Sequence, residues 1–418
     1  MPRLVGPGFL TVLTVASLLA AGGSPALASH VQCGDVVTQD TTLDSDLVDC
    51  PRNGIVVGAP GITLDLNGHM IDGDDSAGIE PCGVGILNGP TFSSACDDSN
   101  APGHDDVTLR KGAVRQFDAG VVVSEASRNR LRGLTVSGSN YAAIILGDSD
   151  ETSIERNLLR NNRSFAGALN LFSATRLRIS GNVVSGSEGS GIETDGISDS
   201  WIERNSFLGN QQGGFHLHGA RNNLVERNWV TGSETGIEIS DGVSDNRVVG
   251  NWVFGNSYIG IMTQEGARRN RIERNFVFNN GSVPSSDSSG ILILGDGNSA
   301  RVEGNLVFGN HQGIVLADSS GANLIERNWV SRSVGDGIFL RDHNATNPSG
   351  ADRVERNIVT RNGDDGIDVE GAVTNLTGNH ANRNGDLGIE AVAGVTDGEG
   401  NRAFGNGNPL QCLNVVCR

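Results

Sequence analysis

Lysine is nearly missing from this chain: of its 31 basic residues only Lys111 is a lysine, and the rest are arginine. Any amine-based catalysis would have to pass through that one side chain. Basic charge as a whole is short, with 31 Lys and Arg against 49 Asp and Glu, for a net charge of −18. So acidic a chain lacks the positive footprint that nucleic acid or an anionic membrane requires, and neither partner is expected. Aromatic residues make up only 5% of the sequence, which points to a narrow core of aliphatic side chains. No apolar run beyond residue 21 is long enough to cross a bilayer. Cysteine is absent from residues 97–411, and no Cys-x-x-Cys pair occurs anywhere, which argues against a thiolate metal site.

What is plentiful is glycine, at 59 residues, together with a recurring phrase. Leu224-Val225-Glu226-Arg227-Asn228-Trp229-Val230, followed by Gly236-Ile237-Glu238-Ile239, has counterparts along most of the chain. Its Asn recurs at positions 157, 182, 205, 228, 251, 275, 305, 328, 357, 379 and 401, at intervals of 22–30 residues. Such a period is the mark of a stacked repeat. Each unit holds three short runs with alternating apolar residues, too short for helices and separated by Asn and Gly corners. The corner Asn and Gly are expected to take the left-handed backbone of a sharp bend, and the Asn to stack into a hydrogen-bonded ladder. Three strands per coil of about 23 residues describe an all-β fold, a single-stranded right-handed parallel β-helix. The two long intervals place insertions at 281–289 and 343–352, where a solenoid accepts them at its corners.

Residues 1–28 read as a secretory leader: Arg3 opens it, Phe9 to Ala21 is apolar, and Ala26-Leu27-Ala28 is a small-x-small cleavage site. Export, to the periplasm or the extracellular space, follows. Residues 29–127 form a less regular N-terminal cap, 128–406 the regular coils, and 407–418 a C-terminal cap. The six cysteines, Cys33, Cys50, Cys82, Cys96, Cys412 and Cys417, cluster at the two ends. An even number in an exported chain implies disulfides, and proximity in sequence favours Cys33–Cys50, Cys82–Cys96 and Cys412–Cys417. Stapled ends would suit a solenoid whose core is otherwise open at both termini. No sequence signal bears on the oligomeric state.

The Gly61-Ile62-Thr63-Leu64-Asp65-Leu66-Asn67-Gly68-His69 stretch, with the repeated Arg-Asn and Gly-Ile phrases, resembles secreted right-handed β-helix repeat proteins. That group includes NosD-like periplasmic proteins and the carbohydrate-binding and sugar-hydrolase β-helix domains of the pectin-lyase-like superfamily. The resemblance implies the fold and, in its enzymatic members, action on polysaccharides. Thr194-Asp195-Gly196 is similar to part of the polygalacturonase Asn-Thr-Asp element, with Glu193 in place of the Asn.

In a parallel stack, equal positions of successive coils form columns about 4.8 Å apart. Aligned on Gly-Ile, one outward column carries Asn170, Glu193, His216, Glu238, Met262 and Phe339, and the next carries Asp195, His218 and Gln264. Glu193, Asp195, His216, His218 and Glu238 are thereby expected on one outer face. Two carboxylates and two imidazoles suit three chemistries. They are inverting hydrolysis by paired acids, proton abstraction beside a uronate carboxylate by a lyase or C5-epimerase, and binding of calcium or another divalent metal. Asn170, Met262, Gln264 and Phe339 would line a groove for a polysaccharide. A non-catalytic surface or NosD-like accessory protein is the competing class. An apolar strip of Met262, Leu292, Leu294, Val315 and Phe339 is expected to lie beneath the two insertions.

Overall fold

The computed structural model describes residues 30–75, 82–91, 102–163, 167–264, 266–295, 299–318, 322–341, 351–371 and 374–418. All of its regular elements are strands, and they wind into a parallel β-helix. Three strands per coil build three ladders. One is a sheet of 15 parallel strands running from Asp35–Val37 to Ile389–Ala391. The other two pass through Leu224–Glu226 and Trp229–Thr231, each strand bonded to its equivalents one coil before and after.

Register is one-for-one, so that Phe215 pairs with Ile192 on one side and Ile237 on the other. Because side chains alternate across a strand, the inward positions collect into a continuous core. Ile192, Phe215, Leu217, Ile237 and Ile239 are fully buried there. Phe207 and Phe215 meet edge to face within this core, ring centroids 5.2 Å apart.

The Asn ladder is present from Asn157 to Asn401. From Asn157 to Asn379 each amide donates to the side-chain oxygen of the next Asn, as in Asn228 Nδ2 to Asn251 Oδ1 at 3.0 Å, and to a main-chain carbonyl of the preceding coil, Ile202 in the case of Asn228. The corner differs from expectation in one respect. The left-handed residue is the one before the Asn: Arg156, Arg204, Arg227, Arg274, Arg327 and Arg356 have φ of 53–54°. Where the coil carries Gly instead, at Gly181, Gly250, Gly304, Gly378 and Gly400, φ is again positive. The Asn itself must turn its amide inward to the ladder, so its neighbour makes the bend. A second ladder, through Asn256, Asn280 and Asn310, guards another corner.

Two expected disulfides are formed, Cys33–Cys50 and Cys412–Cys417. Cys82 is also disulfide-bonded, while its expected partner Cys96 lies outside the described residues, as does the leader segment. The apolar strip is covered rather than exposed. Met262, Leu292, Val315 and Ala317 are buried together with Ile259, and Tyr258, Leu294 and Phe339 pack against them. The 281–289 insertion is held beside them by Asp287, 2.7 Å from Arg341, and by Ser285, whose hydroxyl donates to Tyr258 Oη at 3.2 Å. Most of the second insertion, at 342–350, lies outside the described residues.

Candidate functional site

The strand Gly213–His218 carries the two histidines between Ile192–Asp195 and Thr235–Ser240. Register places Glu193 beside His216 and His216 beside Glu238, with Asp195 beside His218 and His218 beside Ser240. Alternation turns both histidines away from the core, and four of the five expected residues converge. Glu193 is the hub: Oε2 lies 3.2 Å from His216 Nδ1 and Oε1 lies 3.0 Å from His218 Nε2. One carboxylate therefore bridges two imidazoles on the next coil.

The surroundings divide the two histidines. His216 is half-buried, its Nδ1 also 3.2 Å from Ser190 Oγ. Its Nε2 is 3.3 Å from Glu238 Oε2 but poorly aligned for a hydrogen bond, and that buried nitrogen has no other partner. Room for the ring exists because residue 213 is glycine; a Cβ there would collide with Nε2. His218 is more open, and its Nδ1 meets Asp241 Oδ2 at 2.8 Å and Ser240 Oγ at 2.9 Å.

Protonation is shaped strongly by this packing. Burial alone would raise the pKa of Glu193, yet hydrogen bonds from His216 and His218 outweigh it and hold the carboxyl down at about 2. His218 is pushed up to about 9, chiefly by its bond to Glu193, with burial opposing and Asp241 adding. At neutral pH the pair is thus an ion pair.

The remaining candidates are more dispersed. Asp195 is exposed, and its carboxylate makes no hydrogen bond or ion pair among the described residues. Asn170 stands next to Glu193 in register. Gln264 donates to Glu238 Oε1 at 2.7 Å and so belongs to the site's edge. Met262, at 9% exposure, is buried in an apolar cluster, and Phe339 packs against that cluster. The 281–289 segment lies beside that cluster, through Ser285 on Tyr258 and Asp287 on Arg341. Asp241, Ser190 and Ser240 were missed; Asp241 sits in the turn after its strand, outside any column that alternation defines.

A second acidic group lies toward the C-terminal end of the stack. Asp336 and Asp365 are buried, and Asp336 Oδ1 accepts the Asp365 backbone N–H at 2.9 Å. Burial and the neighbouring Asp364 charge raise Asp336 to about 6. Burial and then the Glu390 contact raise Asp365 to about 8. Burial with the charges of Asp336, Glu370 and Glu390 raises Asp368 to about 7.

Donor atoms from Glu193, His216 and His218 lie within 4.8 Å of one another, a mixed nitrogen–oxygen set. Asp336, Asp364 and Asp365, and likewise Asp365, Asp386 and Glu390, form oxygen-only sets at the same spacing.

A family profile for the periplasmic copper-binding protein NosD matches residues 93–264 and 253–407. The chain belongs to the NosD family. That family's periplasmic setting and the two disulfides mark this member as an exported protein, secreted or periplasmic. Among the described residues no helix is long and apolar enough to cross a membrane. Similar solved structures include the periplasmic alginate epimerase AlgG, at 13% identity and a TM-score of 0.54, covering 76% of each chain. Another is PfbA, a surface adhesin of Streptococcus pneumoniae, at 13% identity and a TM-score of 0.48, covering 75% of this chain and 84% of that one. The A-module of the Azotobacter vinelandii mannuronan C-5 epimerase AlgE4 has 14% identity and a TM-score of 0.45, covering 89% and 91%. At 13% identity the likeness to AlgG shows a shared fold alone. No curated protein matches the sequence.

Proposed function

We propose that this protein is an exported, non-catalytic accessory solenoid that captures a divalent transition metal at Glu193, His216 and His218. The observation that carries the reading is the Glu193 carboxylate bridging two imidazoles, with donor atoms of all three residues within 4.8 Å of one another. Imidazole nitrogen with a single carboxylate suits copper or zinc, whereas calcium prefers oxygen ligands throughout. The family's description as copper-binding points the same way. Titration of the full chain with copper(II) against a competing chelator tests it. One equivalent should bind, and Glu193→Gln and His216→Ala should each weaken uptake at least tenfold. Uptake that is absent, or indifferent to both changes, would sink the proposal.

A uronate lyase or C5-epimerase is the second reading, favoured by one observation: a partly exposed, cationic His218 beside the free carboxylate of Asp195. A cation there would hold a uronate carboxylate, and Asp195 would take the neighbouring proton. Inverting hydrolysis gains less, because its acid needs a raised pKa and Glu193 is held low. A proton NMR time course with uronans separates this reading from simple metal capture. Product formation abolished by Asp195→Asn would favour the enzyme.

A further inference from the structure

A cleft of about 530 Å³ opens on a different ladder, lined by Thr63, Thr108, Arg110, Arg130, Arg132, Glu151, Ser153, Glu155 and Arg178. Its origin is a size pattern in one outward column. Register stacks Thr63, Thr108, Arg130, Ser153, Arg178 and Trp201 on successive coils. The short Thr63, Thr108 and Ser153 leave space between long arginines. The parallel column beside it runs Asp65, Arg110, Arg132 and Glu155. Four arginines against two glutamates line the cleft, so it is a basic site on a chain whose net charge is −18.

The guanidiniums are not all committed. Arg110 is held by Asp65 at 2.8 Å, and Arg178 by Glu203 at 3.1 Å. Arg130 and Arg132, two residues apart on one strand and both exposed, have no ion-pair partner among the described residues. Each therefore offers a planar fork matched to a carboxylate. Between Thr63 and Arg178 the cleft crosses five strands, roughly 19 Å at the interstrand spacing. It leads on to Trp201, which is 50% exposed and in register with Arg178. Beyond, Trp201, Leu224 and Arg247 line a further hollow of about 270 Å³.

We infer that this track binds a linear uronate polysaccharide, its carboxylates on Arg130 and Arg132 and a sugar ring against Trp201. An indole offers a flat apolar surface with a polar rim, which suits the C–H face of a pyranose. The spacing of charge selects the polymer. Duplex DNA carries a negative charge every ~1.7 Å of its axis and would meet the acidic remainder of the surface, whereas a uronan brings one carboxylate per sugar. The inference does not depend on the Glu193 cluster, which lies on another ladder.

The test is electrophoresis of the full chain through native gels containing polygalacturonate, neutral dextran or a DNA oligonucleotide, paired with copper titration of the same samples. Retardation is expected in polygalacturonate alone, weakening with salt. Arg130→Gln/Arg132→Gln and Trp201→Ala should each reduce apparent affinity at least tenfold while copper uptake stays as in the unsubstituted chain. Arg353→Gln, in the same column but far along the stack, should change nothing. Equal retardation in dextran or DNA, or a double variant that binds polygalacturonate as well as the parent, would overturn the assignment.

Discussion

Glu193 and His218, on neighbouring coils and 25 residues apart in sequence, meet at 3.0 Å through one carboxylate oxygen and Nε2. Each shifts the other: the acid is pushed down to about 2 and the imidazole up to about 9. Removing the acid should release the base. In Glu193→Gln the His218 pKa is expected to fall from about 9 toward its ordinary 6.5, Asp241 keeping part of the shift. Imidazole chemical shifts followed against pH by NMR give the answer, and an unmoved titration would show that the contact is not formed in solution.

The same pair predicts a pH window for stability. His218 has a raised pKa, so its contribution is complete below pH 6.5 and lost as pH rises through about 9. Glu193 has a lowered pKa, so its contribution is complete above pH 4.5 and lost as pH falls through about 2. The difference in melting temperature between the parent and a Glu193→Gln/His218→Gln variant should be greatest between pH 4.5 and 6.5.

Metal capture follows a different pH course. A ligand imidazole must lose the proton that Glu193 and Asp241 stabilise, so binding expels a proton from His218 at neutral pH. Copper affinity is expected to rise about tenfold per pH unit from 7 to 8.5, flattening above about 9. A chelator-competition series across that range, in a buffer that does not bind copper, measures the slope. A flat profile would mean that His218 is not a ligand.

The C-terminal carboxyl group predicts the opposite sign. Asp365 is raised to about 8, so its folded form favours the proton, and ionisation costs stability as pH climbs from about 4 toward 8. Asp365→Asn keeps an oxygen for the Leu387 N–H, which the native carboxyl accepts at 2.6 Å. It should raise the melting temperature at pH 8 and leave it nearly unchanged at pH 4. Equal effects at both pH values would point to packing instead of charge.

Breaking the ladder should be costly and local. Asn228 is buried and bonded to Asn205, Asn251 and the Ile202 carbonyl. Asn228→Ala leaves several of these groups unpaired, each at about 1–3 kcal/mol. Amide exchange should quicken chiefly in the coils on either side. Unchanged protection there would remove the ladder from the account of stability.

The sequence by itself determined the solenoid, its three strands per coil and the columns of the outer face. Parallel in-register stacking turns a period into coordinates: once Gly-Ile marks the inward residue, alternation places Glu193, His216 and Glu238 side by side. It also determined the Asn ladder, since an amide repeated at one corner meets its own copy. Only the tertiary structure decided which column residues are open. Met262 and Phe339 share a column with His216, but Met262 is buried in an apolar cluster and Phe339 packs against it, beside a segment tied down by Asp287 and Arg341, and no periodicity reports what an insertion lies beside. Asp241 joined the site from a turn, and Arg227 instead of Asn228 took the left-handed corner, because backbone bends answer to where the ladder amide must point. The protonation of Glu193, His218 and Asp365 likewise depends on burial and on partners a coil away, which residue order alone does not specify.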